Sequence, residues 1–412
     1  MKQVLIGGGG FAGLQAAKGL GSVPGVEVTL VDRHNHHVFQ PLLYQVAMAQ
    51  LSPADIAVPL RAVFSRHANV RVYQGRAESI DKAARRVRTS FGELPYDYLL
   101  LASGASHAYF GHDEWEPFAP GLKTLADARE IRRRVLDAYE AAECSTDPAV
   151  QKRLLSFVIV GGGPTGVELA GAIAEMGRFT LAKDFRNIHT ELTRVVLVEA
   201  GPRLLAALPP VLSDYAAKAL MELGVEVLTG TAVTGIGAAG VELGARYIEA
   251  GTVLWAAGVT ASPLGKSLGM EMDRQGRVLV QPDLSVAGHP ELFVAGDLAH
   301  LEEKPGVLYP GIAAVAHQQG QSVARAIRAD LDGKPRKPFH YIDKGQMATI
   351  GHNRAVAALH ALKVRGRLAW LMWVFVHIYY LVDYRNRMVV MLQWAWTYFT
   401  NRRGARLIMD DT

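Results

Sequence analysis

The feature that most constrains this chain is a short device that it carries twice. An apolar run, Val4-Leu5-Ile6, leads into Gly8-x-Gly10-x-x-Gly13, and the helical stretch Leu14–Leu20 follows. A second apolar run, Val26–Val31, then ends on Asp32, 19 residues past Gly13. Each part has a physical task. The first glycine permits a tight turn, the second opens the backbone N–H groups to a pyrophosphate, and the third lets the helix lie against the strand. The helix then aims its positive end at the phosphates, and the acid accepts hydrogen bonds from adenosine ribose hydroxyls. Gly9, Phe11 and Ala12 complete this first loop.

The repeat is Phe157–Val160, Gly161-x-Gly163-x-x-Gly166, the helical Val167–Met176, then Val195–Val198 ending on Glu199. The longer gap before Glu199 reads as an insertion over Arg178–Thr193. A glutamate here favours the free 2′-hydroxyl of NADH and repels the 2′-phosphate of NADPH, unless a nearby arginine offsets it. One glycine motif is weak evidence, but strand, glycines, helix, strand and acid in order, twice, predict two Rossmann-like dinucleotide-binding units. FAD is expected in the first and NADH in the second.

Composition closes other routes. The chain has 412 residues, half of them hydrophobic, so a sizeable core is expected. Its single cysteine, Cys144, can make neither an intramolecular disulfide nor a redox pair nor a thiolate-held cluster. Redox chemistry therefore belongs to an organic cofactor, and no metal site is expected. A net charge of +5 without a long basic run argues against nucleic acid and suits an anionic membrane surface or dinucleotide. The opening residues show no signal-peptide pattern, so the body is expected to face the cytoplasm.

Toward the C-terminus, Leu368–Val382 is nearly all apolar but shorter than the roughly 20 residues a spanning helix needs, and His377 interrupts it. A second stretch, Met388–Thr400, follows the link Asp383–Arg387, with Gln393, Thr397, Thr400 and Asn401 forming a narrow polar stripe. Trp370, Trp373, Trp394 and Trp396 lie here, and Arg365, Arg367, Arg385, Arg387, Arg402 and Arg403 flank the apolar runs. Rings and arginines at the edges of an apolar surface suit an amphipathic helix pair lying in a membrane interface. A dimerisation or core hairpin is the alternative, and a homodimer presenting a joint apolar face would satisfy both.

Beyond the glycines, the chain carries Phe39–Tyr44, Gly104–Gly111, Gly161–Glu168, Ala316–Gly320, Asp343–Gly351 and Tyr384–Arg387. With these it resembles the type II NADH:quinone oxidoreductases, over essentially its whole length. The resemblance implies an α/β flavoprotein of the glutathione-reductase-like fold with a C-terminal membrane-anchoring segment. It implies a peripheral (monotopic) enzyme on the cytoplasmic face, passing electrons from NADH through non-covalent FAD to a membrane quinone without proton pumping. The expected division is 1–115 and 276–335 for FAD, 116–275 for NADH, and 336–412 for anchoring and the quinone site.

The same resemblance assigns individual residues. Glu168, in the first turn of the second glycine-motif helix, would lie beside the nicotinamide and quinone end of the flavin, or else be an acid held by the helix N-terminus. Lys344 would lie near the isoalloxazine, where a cation favours electron-rich flavin. Gln318 matches the second glutamine of the quinone-site motif, while Ala314 replaces the first. Ala316 and His317 would touch the flavin through backbone, Asp297 its ribityl and phosphate part, and Ala77 its adenine. Asp32-Arg33 forms the ribose-binding end. A sulfide:quinone oxidoreductase is disfavoured by the lone cysteine. A soluble NADH:acceptor reductase and a non-catalytic redox sensor are the remaining readings.

Overall fold

A computed structural model describes residues 1–360, 362–400 and 404–408, with the backbone alone for Phe399. Asn401, Arg402 and Arg403 of the expected stripe and flank lie outside the described residues. The chain divides into two compact units: Met1–Val38, Ala57–Ser106 and Val259–Asp343 form the first, and Phe39–Ile56, His107–Gly258 and Lys344–Thr412 the second.

The first unit is built on a six-stranded sheet. In spatial order its strands are Ser285–Val286, His289–Val294, Tyr98–Leu101, Lys2–Gly7, Val26–Asp32 and Val70–Gln74. All neighbours run parallel except the short first pair. From Val70–Gln74 to His289–Val294 the chain order is the doubly wound 3-2-1-4-5, so the reversal falls beside Lys2–Gly7, whose C-terminal end carries the first glycine loop. One face of the sheet buries Leu5, Val31, Leu99, Leu101, Leu292 and Val294 against the antiparallel strands Ala77–Asp81, Arg86–Thr89 and Gly92–Pro95. The helices Phe11–Leu20 and Ala313–Leu331 belong together: a Cβ on Gly320 would lie 2.1 Å from the Ala12 carbonyl oxygen, so only glycine permits this approach.

The second unit holds a four-stranded parallel sheet in the order Val225–Leu228, Arg194–Val198, Ser156–Val160 and Thr252–Trp255. Val158, Val160, Val196, Val198, Val253 and Trp255 pack on the antiparallel strands Gly240–Leu243 and Arg246–Glu249. The 20-residue helix Leu125–Cys144 starts on a capping box, with Thr124 and Asp127 each accepting the other's backbone N–H.

The same unit ends in a separate module. Gln346–Thr349, Ala355–Leu359 and Leu362–Gly366 form an antiparallel sheet, and two helices follow, Arg367–Tyr380 and Tyr384–Thr400. Ala355, Ala357 and Ala369 are small, which lets the first helix lie close on the sheet. Within the first helix the His377 Nδ1 lies 2.7 Å from the Trp373 carbonyl oxygen, and its ring stacks on Trp373 at 4.1 Å. Two expectations need correction here. The second helix starts at Tyr384, since Asp383 can accept from the Arg385 and Arg387 backbone N–H groups through its side chain and carbonyl. The tryptophans do not ring an edge: Trp373 is buried, Trp370 and Trp394 are half-buried, and Trp396 is exposed. Among the described residues, no helix is long and apolar enough to cross a membrane.

Candidate functional site

The two glycine loops repeat one another closely in their own units. Gly8 has φ +116° and Gly161 φ +112°, a region side chains rarely adopt. A Cβ on Gly13 would sit 1.8 Å from the Gly8 carbonyl oxygen, and one on Gly166 1.8 Å from that of Gly161. Gly10 and Gly163 face open space, with nothing within 4 Å of an added Cβ. Each is the N-cap of its helix and offers no side-chain cap, so the first helical N–H groups are left to a ligand. The terminal acid is oriented the same way in both. Asp32 accepts from Gly9 at 2.6 Å and His34 at 2.7 Å, and Glu199 from Gly162 at 2.5 Å and Gly201 at 2.6 Å. Two backbone bonds hold each carboxylate rigid while leaving lone pairs for ribose hydroxyls. Open glycines, uncapped N–H groups and a fixed acid fit a dinucleotide in each unit.

The other flavin candidates of the first unit form two groups. Asp297 lies in a short turn after His289–Val294, where Gly296 has φ +74°. That turn is held by Gln319, whose Oε1 accepts the Gly296 N–H at 2.7 Å, and Ala316 lines the same recess. Gln319 falls inside the motif Ala316–Gly320, but the motif by itself gives it no role. It is one helical position from Gln318 and therefore points elsewhere, and nothing local marks which of the two faces inward. Gln318 itself spends both ends of its amide on one backbone unit, donating to the Ile342 carbonyl and accepting from its N–H, each at 2.9 Å. His317 pairs with Gln321 at 3.1 Å. Ala77 opens the strand Ala77–Asp81, and Arg33 is exposed, its carbonyl accepting from Gln74 at 3.4 Å.

In the second unit a cavity of about 300 Å³ lies against the helix Pro164–Glu175. Glu168, Ala172 and Glu175 share one face of that helix and form one wall. Trp370, Trp373, Val374, Trp394 and Thr397 of the C-terminal helices form another, and Tyr44, Gln45, Thr349 and His352 contribute polar groups. Of the polar stripe on the last helix, Thr397 lines this cavity, while Gln393 is half-buried and lines a different recess.

Glu168 is the fifth residue of its helix, not a first-turn residue, because the helix begins at Pro164. The alternative of an acid stabilised by the helix N-terminus therefore falls. The residue is half-buried and lines the cavity. Desolvation of its carboxyl pushes the pKa up to about 8, against a backbone N–H bond from Thr349 that favours the charged form. Tyr44 and Thr349 bring their hydroxyls to 3.0 Å, Gln45 donates to Tyr44 at 3.0 Å, and Trp394 donates to Gln45 at 2.8 Å. Tyr44, Gln45 and Thr349 fall in or beside motifs that the sequence displays, but their joint role is invisible until distant segments meet. Lys344 donates to the Tyr380 hydroxyl at 2.7 Å, its ammonium 5.3 Å from the centre of that ring.

Fold and cradles together define a two-dinucleotide oxidoreductase, and the family model described as pyridine nucleotide-disulphide oxidoreductase matches residues 2–320. The model described as NDH2 C-terminal domain matches residues 344–403. The chain is 44% identical over 423 residues to the type II NADH:quinone oxidoreductase NdhA of Mycobacterium tuberculosis, covering 99% of this chain and 90% of the relative. It is 42% identical to Ndh of the same organism, with the same coverage. The structure of NDH2 from Plasmodium falciparum in complex with NADH has the same fold, with a TM-score of 0.89 at 19% identity over 99% of this chain and all of that one. The chain belongs to the type II NADH:quinone oxidoreductase family.

Proposed function

We propose that this chain oxidises NADH with a membrane quinone, holding FAD on Gly8–Gly13, Asp32, Arg33, Ala77, Asp297, Ala316 and His317. NADH is held on Gly161, Gly163, Gly166 and Glu199. The observation that carries this reading is the duplicated cradle, each copy closed by a carboxylate already fixed on two backbone N–H groups. FAD, when bound, supplies a two-electron carrier that takes hydride from NADH and passes electrons to quinone. The balance is NADH, one proton and quinone giving NAD⁺ and quinol.

The protein's own part is orientation, electrostatics and the proton. Glu199 meets the adenosine ribose and repels a 2′-phosphate. Glu168, whose carboxyl burial pushes toward the protonated form, holds a proton in a cavity of mixed polar and apolar lining where quinone reduction consumes one. Lys344 offers positive charge, oriented by Tyr380, and Gln318 braces Ile342. Residues 1–115 with 276–335 serve FAD, 116–275 NADH, and 336–412 anchoring and quinone access.

The C-terminal helices carry an apolar surface. Leu368, Leu371, Phe375 and Tyr379 of one helix and Met388, Leu392 and Trp396 of the other are exposed. That surface supports a peripheral seat on membrane lipid, at the cytoplasmic face, with two copies of the chain sharing the apolar surface. Steady-state oxidation of NADH by the FAD-loaded protein, with and without a short-chain quinone and repeated with NADPH, tests the reading. Fast turnover with NADH plus quinone alone is expected. Flavin bleaching without quinone-dependent turnover would leave a redox sensor or a different acceptor.

A further inference from the structure

Four side chains from three distant segments form one hydrogen-bonded line ending beside Glu168. Trp394 Nε1 donates to Gln45 Oε1 at 2.8 Å, and Gln45 Nε2 donates to the Tyr44 hydroxyl at 3.0 Å. That hydroxyl meets Thr349 Oγ1 at 3.0 Å, and Thr349 lines the cavity with Glu168, where its backbone favours the charged form of the carboxyl. Tyr44, Gln45 and Thr349 are buried, so each of these bonds is made in a medium where a lost partner is costly. All of them, with Trp394 and Glu168, line the one cavity.

We propose that Tyr44 is a positioning residue for Glu168: anchored by Gln45 and Trp394, it fixes Thr349 so that the Thr349 backbone stays turned toward the Glu168 carboxyl in the cavity they share. The inference rests on the reading of Glu168 as the proton-holding acid and names what sets its proton affinity. A hydrogen bond to a carboxylate favours its charged form, so loosening the line disfavours ionisation of Glu168.

Among the described residues, the titratable groups that line the cavity with Glu168 come from three elements. Tyr44 approaches from the short helix Leu43–Ala47, Glu175 shares the acid's own helix face, and His352 and Arg354 come from the turn after Thr349. The cavity-lining residues of the two C-terminal helices, Trp370, Trp373, Val374, Trp394 and Thr397, carry no ionisable group. Trp394 therefore acts on Glu168 through Gln45 and Tyr44, not through charge. The seating of the last helix and the proton affinity of the acid become one property.

The test is an infrared pH titration of the protonated carboxyl band in the FAD-loaded, NADH-free protein, assigned by its loss in Glu168→Gln. Tyr44→Phe removes the hydroxyl at the centre of the line, and Trp394→Phe removes the distal N–H together with part of the indole ring. The midpoint should move up by about 0.5–1 pH unit in Tyr44→Phe, the worth of one buried hydrogen bond, and by less in Trp394→Phe. If Tyr44→Phe loses flavin or fails to fold, Trp394→Phe alone decides the matter. An unmoved midpoint in the variants that fold overturns the proposal. A moved midpoint with quinone turnover indifferent to Glu168→Gln upholds the positioning and overturns the functional reading of the acid instead.

Discussion

Glu199 receives the Gly162 backbone N–H at 2.5 Å, which ties the acid at the end of one strand to the middle of the glycine loop at the end of its neighbour. With Gly201 on its other oxygen, the carboxylate cannot swing away from a ligand. Its charge is therefore a fixed part of the loop's chemistry.

From this follows the cofactor preference. Glu199→Ser should lower kcat/KM for NADH by roughly ten- to hundredfold, the worth of a charged hydrogen bond, and raise that for NADPH. Steady-state kinetics with both nucleotides checks it. An unchanged ratio would place the selectivity elsewhere.

Backbone approach in the first unit gives a second prediction. In Gly320→Ala the new methyl would strike the Ala12 carbonyl 2.1 Å away, inside the helix that opens the first glycine loop. Overpacking of this kind costs about 1–3 kcal/mol, and the displaced helix should hold FAD less well. Flavin absorbance per polypeptide after gel filtration, together with the thermal midpoint, reads both effects.

The acid of the cavity makes stability depend on pH. A carboxyl whose folded pKa is raised from the ordinary 4.5 to about 8 leaves the folded state binding more protons than the unfolded state between those values. Its contribution therefore falls as pH rises through that window and levels off above about 8. Thermal unfolding followed from pH 5 to 9 should show this decline, and Glu168→Gln should flatten it. A variant as pH-sensitive as the parent would assign the decline to other groups.

Arg132 offers a structural test without reference to catalysis. Its buried guanidinium donates to Val46 through Nε and Nη2, at 2.9 and 2.6 Å, to Leu51 at 3.0 Å and to Ala405 at 3.1 Å. It thereby satisfies carbonyls at the end of the short helix that carries Tyr44 and Gln45. Arg132→Met leaves the buried Leu51 carbonyl without this donor and weakens the bonding of Val46, at about 1–3 kcal/mol for an unpaired buried acceptor, so a clear drop in the thermal midpoint is expected. Arg132→Lys, with fewer donors, should recover only part of it.

Exposed apolar side chains on the C-terminal helices predict vesicle binding. Leu371→Glu with Phe375→Glu should release the protein from anionic lipid vesicles in a flotation assay. Burial of each such side chain is worth roughly 1.5–3 kcal/mol. Retention on vesicles would move the lipid contact to another surface.

The sequence by itself determined the two cradles. Their parts are local: a strand, three glycines, a helix and an acid within a few tens of residues, each required by backbone sterics or by the pyrophosphate. Even the insertion before Glu199 left that pattern readable. The tail motifs likewise identified the family, because they are rare combinations and not periodicities. What only the tertiary structure decided is where side chains with several local options point. Gln318 turned to a backbone and Gln319 to the Gly296 turn, although nothing in their spacing separates them. Trp373 and Trp394 look like interface anchors in one dimension, yet pack into a cavity wall. Glu168 counts as a helix-start acid until the helix is seen to begin at Pro164. Its proton affinity depends on burial and on a bond from Thr349, 181 positions away. Long-range burial and hydrogen bonding set such properties, and they exist only once segments distant in the chain have met.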